Sequence, residues 1–485
     1  MREPEITPGR TPRPARLHAP RGLGRLEPGL ALARGNLHLA VSYDRPQAAK
    51  PANFQPAGIS MANLQDLQPA AVVRRILPDA LAIGLAAVVL GLLLSIHVTA
   101  PWIYLHDDNG AWTQMMASAH LRAGLAATGG QGAMVRRADG GLDRYLHHPP
   151  LYPLIVAAVY RATGRSDTAI TRLVPAFFHF VGFAAAVALA FILFPASPAR
   201  RLVAVGLYAL VPMSAYFGKM PNFEPVGLAW VNLAMVATCR HRRSGGRLSL
   251  ALAVVFWVLA GLTSWGAYAA ALGFVALFAF EGWRERRPER SRAALVLGAS
   301  AGGTAALVLA QIRIIAGNSS NLLGAGGHWA TTSATPAEVL AALGTAFDFN
   351  RIYFANVPFL LYIAWAFSRL RALLSGVRLN EDQRVLCAGS AGVALYALAF
   401  LPALAIHAYG QFWFLPFEVL AAADVALAAW ERLGNRRRVR LALAGLAVAG
   451  TLASAAYTLA YRYSRPHGYA VRTARFIAER YYTTP

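Results

Sequence analysis

The sequence predicts an all-α, polytopic integral membrane protein with about eleven transmembrane helices. Three observations predict it. Of 485 residues, 56% are hydrophobic and 14% charged, against about 25% charged in a soluble domain. The apolar residues come in long blocks of Ala, Leu, Val and Phe, and mean hydropathy is +0.41. The blocks do not alternate with polar residues, which excludes a membrane barrel. Most approach the roughly 20 residues that a helix needs to cross about 30 Å of hydrocarbon.

The first span is expected at 79–100, the second at 170–194, the third at 202–215 and the fourth at 224–239. The block 248–280 is too long for one helix and is interrupted by Thr263-Ser264-Trp265-Gly266, so it reads as a tight hairpin of two spans. The remaining spans are expected at 293–315, 352–370, 385–407, 412–430 and 441–461. The first outside loop, 101–169, is the longest. Its short mixed segment 111–126 is expected to form an amphipathic helix on the membrane surface.

Charge tests this count. Arginines cluster at Arg200-Arg201, Arg240 to Arg247, Arg284 to Arg292, Arg369 to Arg384 and Arg432 to Arg440, each after an even-numbered span. The short loops between the other spans are nearly free of them. The positive-inside rule then places the amino terminus and these clusters in the cytoplasm. A single helix over 248–280 would break the alternation. The net charge of +23 is therefore mostly topology. No recognition motif sits among the arginines, so no nucleic-acid partner is expected. Lys50 and Lys219 are the only lysines among 46 basic residues, a composition expected of a GC-rich bacterial genome.

Residues 1–78 form a basic, cytoplasmic lead-in. Within it, 1–60 is rich in Pro, Arg, Gly and Ala without apolar period and reads as disordered. It has no apolar core of a secretory signal, and Met61 is an alternative start. The transmembrane domain is expected over 79–462, with a short outside tail at 463–485. Cys239 and Cys387 give neither a disulfide framework nor a zinc pattern.

Chemistry is sought where polar residues are costly. The first outside loop opens with Leu105-His106-Asp107-Asp108-Asn109-Gly110. Adjacent carboxylates at a membrane face are retained if they bind a cation or if one serves as a base. Equally, Asp-Asn-Gly is common turn chemistry that caps a following helix. The loop ends in His147-His148-Pro149-Pro150-Leu151-Tyr152-Pro153, where the prolines stiffen the approach to the next helix. The two histidines can ligate a metal, donate to a phosphate or simply lie at the interface. The second outside loop carries Lys219 and Glu224, which can act on substrate or form a salt-bridged helix start. His407 and Tyr409 lie in a third outside loop, where an interfacial aromatic belt is the plain alternative. These clusters all open on one side of the membrane.

Three of these motifs, in this order, resemble the GT-C membrane glycosyltransferases. That superfamily includes the protein O-mannosyltransferases, the lipid A aminoarabinose transferase and bacterial relatives of family 39. The motifs are Asp107-Asp108, the run from His148 to Pro153, and Asn222-Phe223-Glu224-Pro225. Asp108 stands where many members have Glu, Glu224 where Asp is commoner, and the short tail offers no large soluble domain. The resemblance implies a polyprenyl-phosphate sugar donor in the outer leaflet and a lipid, polysaccharide or protein acceptor whose hydroxyl attacks with inversion. It implies Asp107 as general base, with Asp108 the alternate, and Glu224 as orienting group or co-ligand of a divalent cation shared with Asp107 and Asp108. Lys219, His147, His148, Tyr152, His407 and Tyr409 would bind substrate, Lys219 against the leaving phosphate. The setting would be a bacterial inner membrane with the site facing the periplasm. Consistent with a lipid-linked donor, no Rossmann-type glycine fingerprint is present.

Two other classes compete. A transporter or flippase of lipid-linked sugars suits eleven spans, but needs ionisable groups near the midplane and often internal repeats. Asp424 is the clearest carboxylate within a span, and no repeat is visible. An assembly partner for envelope polysaccharide is the third class. Asn318-Ser319-Ser320 matches a glycosylation acceptor without meaning in a bacterial protein. The Gly-, Ser- and Thr-rich loop 317–350 is expected to be a mobile cover over the site.

Overall fold

The computed structural model describes residues 69–136, 142–316, 330 and 334–477. Residues 1–68 of the expected lead-in, with the alternative start at Met61, and the Asn318-Ser319-Ser320 motif lie outside the described residues, while 69–78 already belong to the first helix. The helices are α1 (Pro69–Ser95), α2 (Asp108–Thr128), α3 (Leu151–Thr163), α4 (Thr168–Leu193), α5 (Pro198–Leu210), α6 (Pro212–Phe217) and α7 (Phe223–Ser244). Then follow α8 (Arg247–Gly261), α9 (Gly266–Arg284), α10 (Pro288–Ala316), α11 (Pro336–Tyr353), α12 (Asn356–Leu374), α13 (Glu381–Ala399) and α14 (Leu401–Ile406). A 3-10 segment, Ala408–Phe414, leads into α15 (Leu415–Arg432), α16 (Arg437–Ser464) and α17 (Gly468–Ile477).

Every predicted span is largely helical, and among the described residues seven helical stretches are long and apolar enough to cross a bilayer. The other four are shorter, more polar or interrupted. Pro212 splits the third into α5 and α6, and Leu401-Pro402 splits the ninth into α13 and α14. The fourth, α7, ends in a polar His-Arg-Arg turn. The block 248–280 does divide into two helices, α8 and α9, at the turn around Thr263-Ser264. The periphery is apolar: Leu85 on α1, Leu295 on α10 and Leu446 on α16 are each about two-thirds or more exposed. On a soluble chain such faces would aggregate; here they are the surface a bilayer solvates.

One expectation for the loops needs correction. The segment 336–353 is not loose cover but helix α11. Thr335 and Glu338 form a reciprocal capping box with Pro336 in the first turn, which satisfies the first free amides of the helix. The Gly-rich stretch of the first outside loop holds a two-stranded antiparallel ribbon, β1 (Ala133–Arg136) with β2 (Leu142–Arg144).

The largest apolar cluster of the interior is centred on α4, α5, α7, α9 and α15, with smaller ones beside it. Trp413 is wedged between α7 and α9, where a Cβ at Gly227 or Gly266 would come within 3 Å of its ring. At one end of the bundle the arginine clusters meet carboxylates. Arg242 pairs with Glu281 at 2.5 Å, Arg384 with Glu281 at 3.0 Å, Arg243 with Asp382 at 2.9 Å and Arg200 with Asp424 at 3.3 Å. These pairs join α5, α7, α9, α13 and α15, so the loops after even-numbered spans share one end. Asp424 is accounted for there, as the partner of Arg200.

Candidate active site

At the opposite end, Asp107 and Asp108 begin α2, and the fold sends them to different tasks. The Asp107 Oδ2 accepts from the amides of Ile103 (3.1 Å) and Tyr104 (2.9 Å) and from Arg172 Nη2 (3.0 Å). Arg172 is buried in the second turn of α4. Its guanidinium stacks 4.2 Å from the Trp102 ring and donates to the carbonyls of Val98, Ala100 and Pro101. Asp107 and Arg172 together close the 98–107 loop onto α4. Trp102 in turn packs on Gly110, where any Cβ would collide with its ring.

Lys219 belongs to this clamp. It is buried, donates to the Ile96 carbonyl, and lies 4.7 Å over the Tyr463 ring. With His97, Tyr104, Asp107, Arg172 and Tyr463 it lines a cavity of about 20 Å³, room for a single water. Burial and then the Arg172 charge lower its amine to about 7, against the pull of Asp107.

Asp108 faces the other way. It is half-buried, and among the described residues it forms no ion pair. Burial, and then the charge of Asp107, hold its carboxyl above the usual carboxylate range. Tyr409 lies within electrostatic reach of Asp108, Glu224 and Tyr145. Glu224 occupies the first turn of α7, where the Asn222 side chain caps the helix at 2.9 Å. It is 4% exposed, and among the described residues its Oε2 has no hydrogen-bond partner. A buried carboxylate oxygen without a donor is costly. It is satisfied when a ligand supplies one.

Aromatic rings wall this region. His148 stacks on Phe223 at 4.1 Å, with Tyr145 beyond it at 5.9 Å, and Tyr152 meets the same Phe223 ring edge-on at 5.3 Å. Burial pushes His148 down to about 3, so its ring is neutral. Opposite, Tyr409 packs on His407 at 5.1 Å and on His106 at 5.0 Å. His106 has a φ of 62°, a left-handed backbone that histidine adopts more readily than most residues. His147 is exposed, its carbonyl held by Trp265 Nε1 at 2.7 Å. The Pro149-Pro150 pair delivers His148 inward and α3 away, and Thr113 of α2 fixes the Pro221 carbonyl at 2.9 Å. Loop 101–107, the foot of α3, the start of α7 and the 3-10 segment thus converge.

The structure therefore groups Asp108, Glu224, His148, Tyr152, His407 and Tyr409, and adds His106 and Tyr145. It sets Asp107 and Lys219 apart in the Arg172 clamp. Sequence reading overlooked Arg172, although an arginine in the second turn of a 26-residue apolar helix is the kind of residue that marks a constraint. It also overlooked Glu418 on α15, which is fully buried with both carboxyl oxygens unpartnered.

The carboxylates were expected to share a cation. Among the described residues no three His, Cys, Asp or Glu gather into a metal-ligating group. Asp107 has its Oδ2 engaged by a guanidinium and two amides, which leaves only Oδ1 for a cation.

No protein-family model matches the chain, and no curated protein sequence is significantly similar to it. Its fold is similar to that of the oligosaccharyltransferase AglB of Archaeoglobus fulgidus. The apo form gives a TM-score of 0.56 at 12% identity, covering 80% of this chain and 57% of that one. The complex with an inhibitory peptide and a dolichol-phosphate gives 0.53 at 13%, covering 80% and 56%. ArnT from Cupriavidus metallidurans bound to undecaprenyl phosphate gives 0.49 at 14%, covering 83% and 77%. The chain spans rather more than half the length of the archaeal protein. The chain shares the polytopic helical fold of this archaeal oligosaccharyltransferase.

Proposed function

We propose that the protein is a glycosyltransferase that moves a sugar from a polyprenyl-phosphate donor to an acceptor hydroxyl, with inversion at the anomeric carbon. The observation that carries this is the buried Glu224 carboxyl with an unpartnered oxygen, which with Asp108 lies within electrostatic reach of Tyr409. The fold it shares with a protein whose structure holds a dolichol-phosphate supports a lipid-phosphate donor.

In this reading the base is Asp108 and not Asp107. Asp107 has its Oδ2 committed to three donors, whereas Asp108 is half-open and its carboxyl, raised by burial, is the better proton acceptor. The acceptor O–H gives its proton to Asp108. The acceptor oxygen bonds to the anomeric carbon as the bond from that carbon to the phosphate oxygen breaks, and the lipid phosphate leaves. Glu224 Oε2 accepts from a sugar or acceptor hydroxyl and orients it. His148, Tyr152, His407 and Tyr409 donate to or pack on the sugar phosphate, and His147 sits at the rim. Lys219 and Arg172 act at a distance, by fixing the loop that carries Asp108. No step needs a cation on Asp107. The site faces the periplasm of a bacterial inner membrane, opposite the arginine-rich end.

The test is sugar transfer from radiolabelled polyprenyl-phosphate sugars by the purified protein in lipid, with a lipid, polysaccharide or protein acceptor extract. Wild type should turn over, and Asp108→Asn and Glu224→Gln should fold but fail. Variants that match wild type remove the site. A second reading, movement of lipid-linked sugar across the membrane, draws on the buried Glu418 within a span. Vesicle transport of labelled lipid by a wild type inert in every transfer assay would favour it.

A further inference from the structure

A groove of about 570 Å³ lies between the second half of α2, the end of α3 and the loop before α4. It is lined by His120, Leu121, Leu125, Arg161, Arg165 and Ser166, among others. It is distinct from the candidate active site. His120 follows Asp108 by twelve residues, about 18 Å along a helix rising 1.5 Å per residue. Gly124, at φ 81° and ψ 166°, breaks the helix beside the groove.

His120 is 5% exposed. Its Nδ1 is 2.9 Å from Thr128 Oγ1. That hydroxyl donates its proton to the carbonyls of Gly124 and Leu125, at 3.1 and 3.2 Å. With that proton on the carbonyls, the tautomer that suits the hydroxyl carries its proton on Nδ1. Burial holds the ring below its ordinary range and so neutral. Nε2 is left as a buried lone-pair acceptor with no partner, and such a group calls for a donor. Arg161 is exposed on α3, and Arg165 uses its Nε on Asp167 at 2.8 Å. Leu121 and Leu125 are 44% and 60% exposed. The groove sits at the start of α4, one of the spanning helices, and so at the membrane interface.

We propose that this groove binds the headgroup of an anionic lipid of the adjoining leaflet that carries both a phosphate and a hydroxyl. The phosphate lies against Arg161 and Arg165, the hydroxyl donates to His120 Nε2, and the start of the acyl region runs along Leu121 and Leu125. A basic cleft at helix ends is a suitable place for such a headgroup. The site goes beyond the transfer reading and stands whether or not the chain transfers sugar.

Native mass spectrometry of the full chain in detergent tests it with three lipids of equal tails. These are phosphatidylglycerol, phosphatidylmethanol (which lacks the free hydroxyls) and diacylglycerol. Wild type should retain phosphatidylglycerol best and diacylglycerol least. Arg161→Glu, at an exposed position that leaves the fold intact, should weaken both phospholipids about fivefold or more. His120→Phe should keep phosphatidylmethanol and lose the preference for phosphatidylglycerol. Equal retention of phosphatidylglycerol and diacylglycerol overturns the proposal, as does an Arg161→Glu variant that binds like wild type. Inorganic phosphate that displaces phosphatidylglycerol at equal concentration also overturns it, by making free phosphate the ligand.

Discussion

Asp107 Oδ2 already holds three donors, so Asp107→Asn and Asp108→Asn should fail in different ways. Asp107→Asn leaves the buried Arg172 without its anion, a loss of about 3–5 kcal/mol, read as a lower melting temperature in detergent. Asp108→Asn should keep that temperature and slow transfer by about 10²- to 10⁴-fold. The wild-type rate should fall on acidification at a pH above the ordinary carboxylate range, because burial raises the Asp108 carboxyl and only its ionised form accepts the proton. Lys219 predicts a stability profile of opposite origin. Its folded amine is lowered to about 7 while the unfolded value is the usual 10.5. Between these the unfolded chain binds more protons, so stability rises with pH across that window. Lys219→Met should lack this rise in thermal melts from pH 7 to 10, and parallel profiles for the two proteins would disprove the assignment. The acidic pair was legible in the sequence, but which carboxylate is free was not, because Arg172 is 65 positions from Asp107 and only the fold brings it there.

Helix α9 meets α13 backbone to backbone. A Cβ at Gly273 would lie 2.1 Å from the Ala388 carbonyl, and one at Gly392 would lie 2.3 Å from the Ala269 carbonyl. Small residues allow this approach between membrane helices. Gly273→Ala and Gly392→Ala should each lower stability by about 1–3 kcal/mol. Gly302→Ala on α10, with nothing within 4 Å of the added carbon, should be neutral or better by up to about 1 kcal/mol. Melting of the three variants in one detergent checks the contrast, and equal losses would remove the close contact. At this scale the apolar blocks announced the spans and the Thr-Ser-Trp-Gly break announced the α8–α9 turn. The Thr335-Pro336-Ala337-Glu338 signature of α11 was also present in the chain, masked by the Gly- and Ser-rich residues before it. The β1–β2 ribbon had no such signature, because its strands are three and four residues long and do not alternate.

Over the whole molecule, ion pairs gather the arginine clusters at one end and the candidate site occupies the other. A variant without Cys239 and Cys387 allows the orientation to be read with a membrane-impermeant maleimide on intact cells. His147→Cys, exposed at the site end, should label, and Arg286→Cys, exposed at the arginine end, should not; the reverse pattern inverts the topology. The polytopic all-α character and the sharing of one end by the basic loops followed from the sequence itself. Hydrocarbon demands about 20 apolar residues per crossing, and loop charge is a local property of the chain. The division of labour between Asp107 and Asp108, the isolation of Lys219 and the burial of Glu224 among aromatic rings were decided only by the tertiary structure. Each depends on which side chains, from loops tens to hundreds of residues apart, share one small volume. Hydrophobic burial along α4 and α7 sets that volume, and no local pattern encodes it.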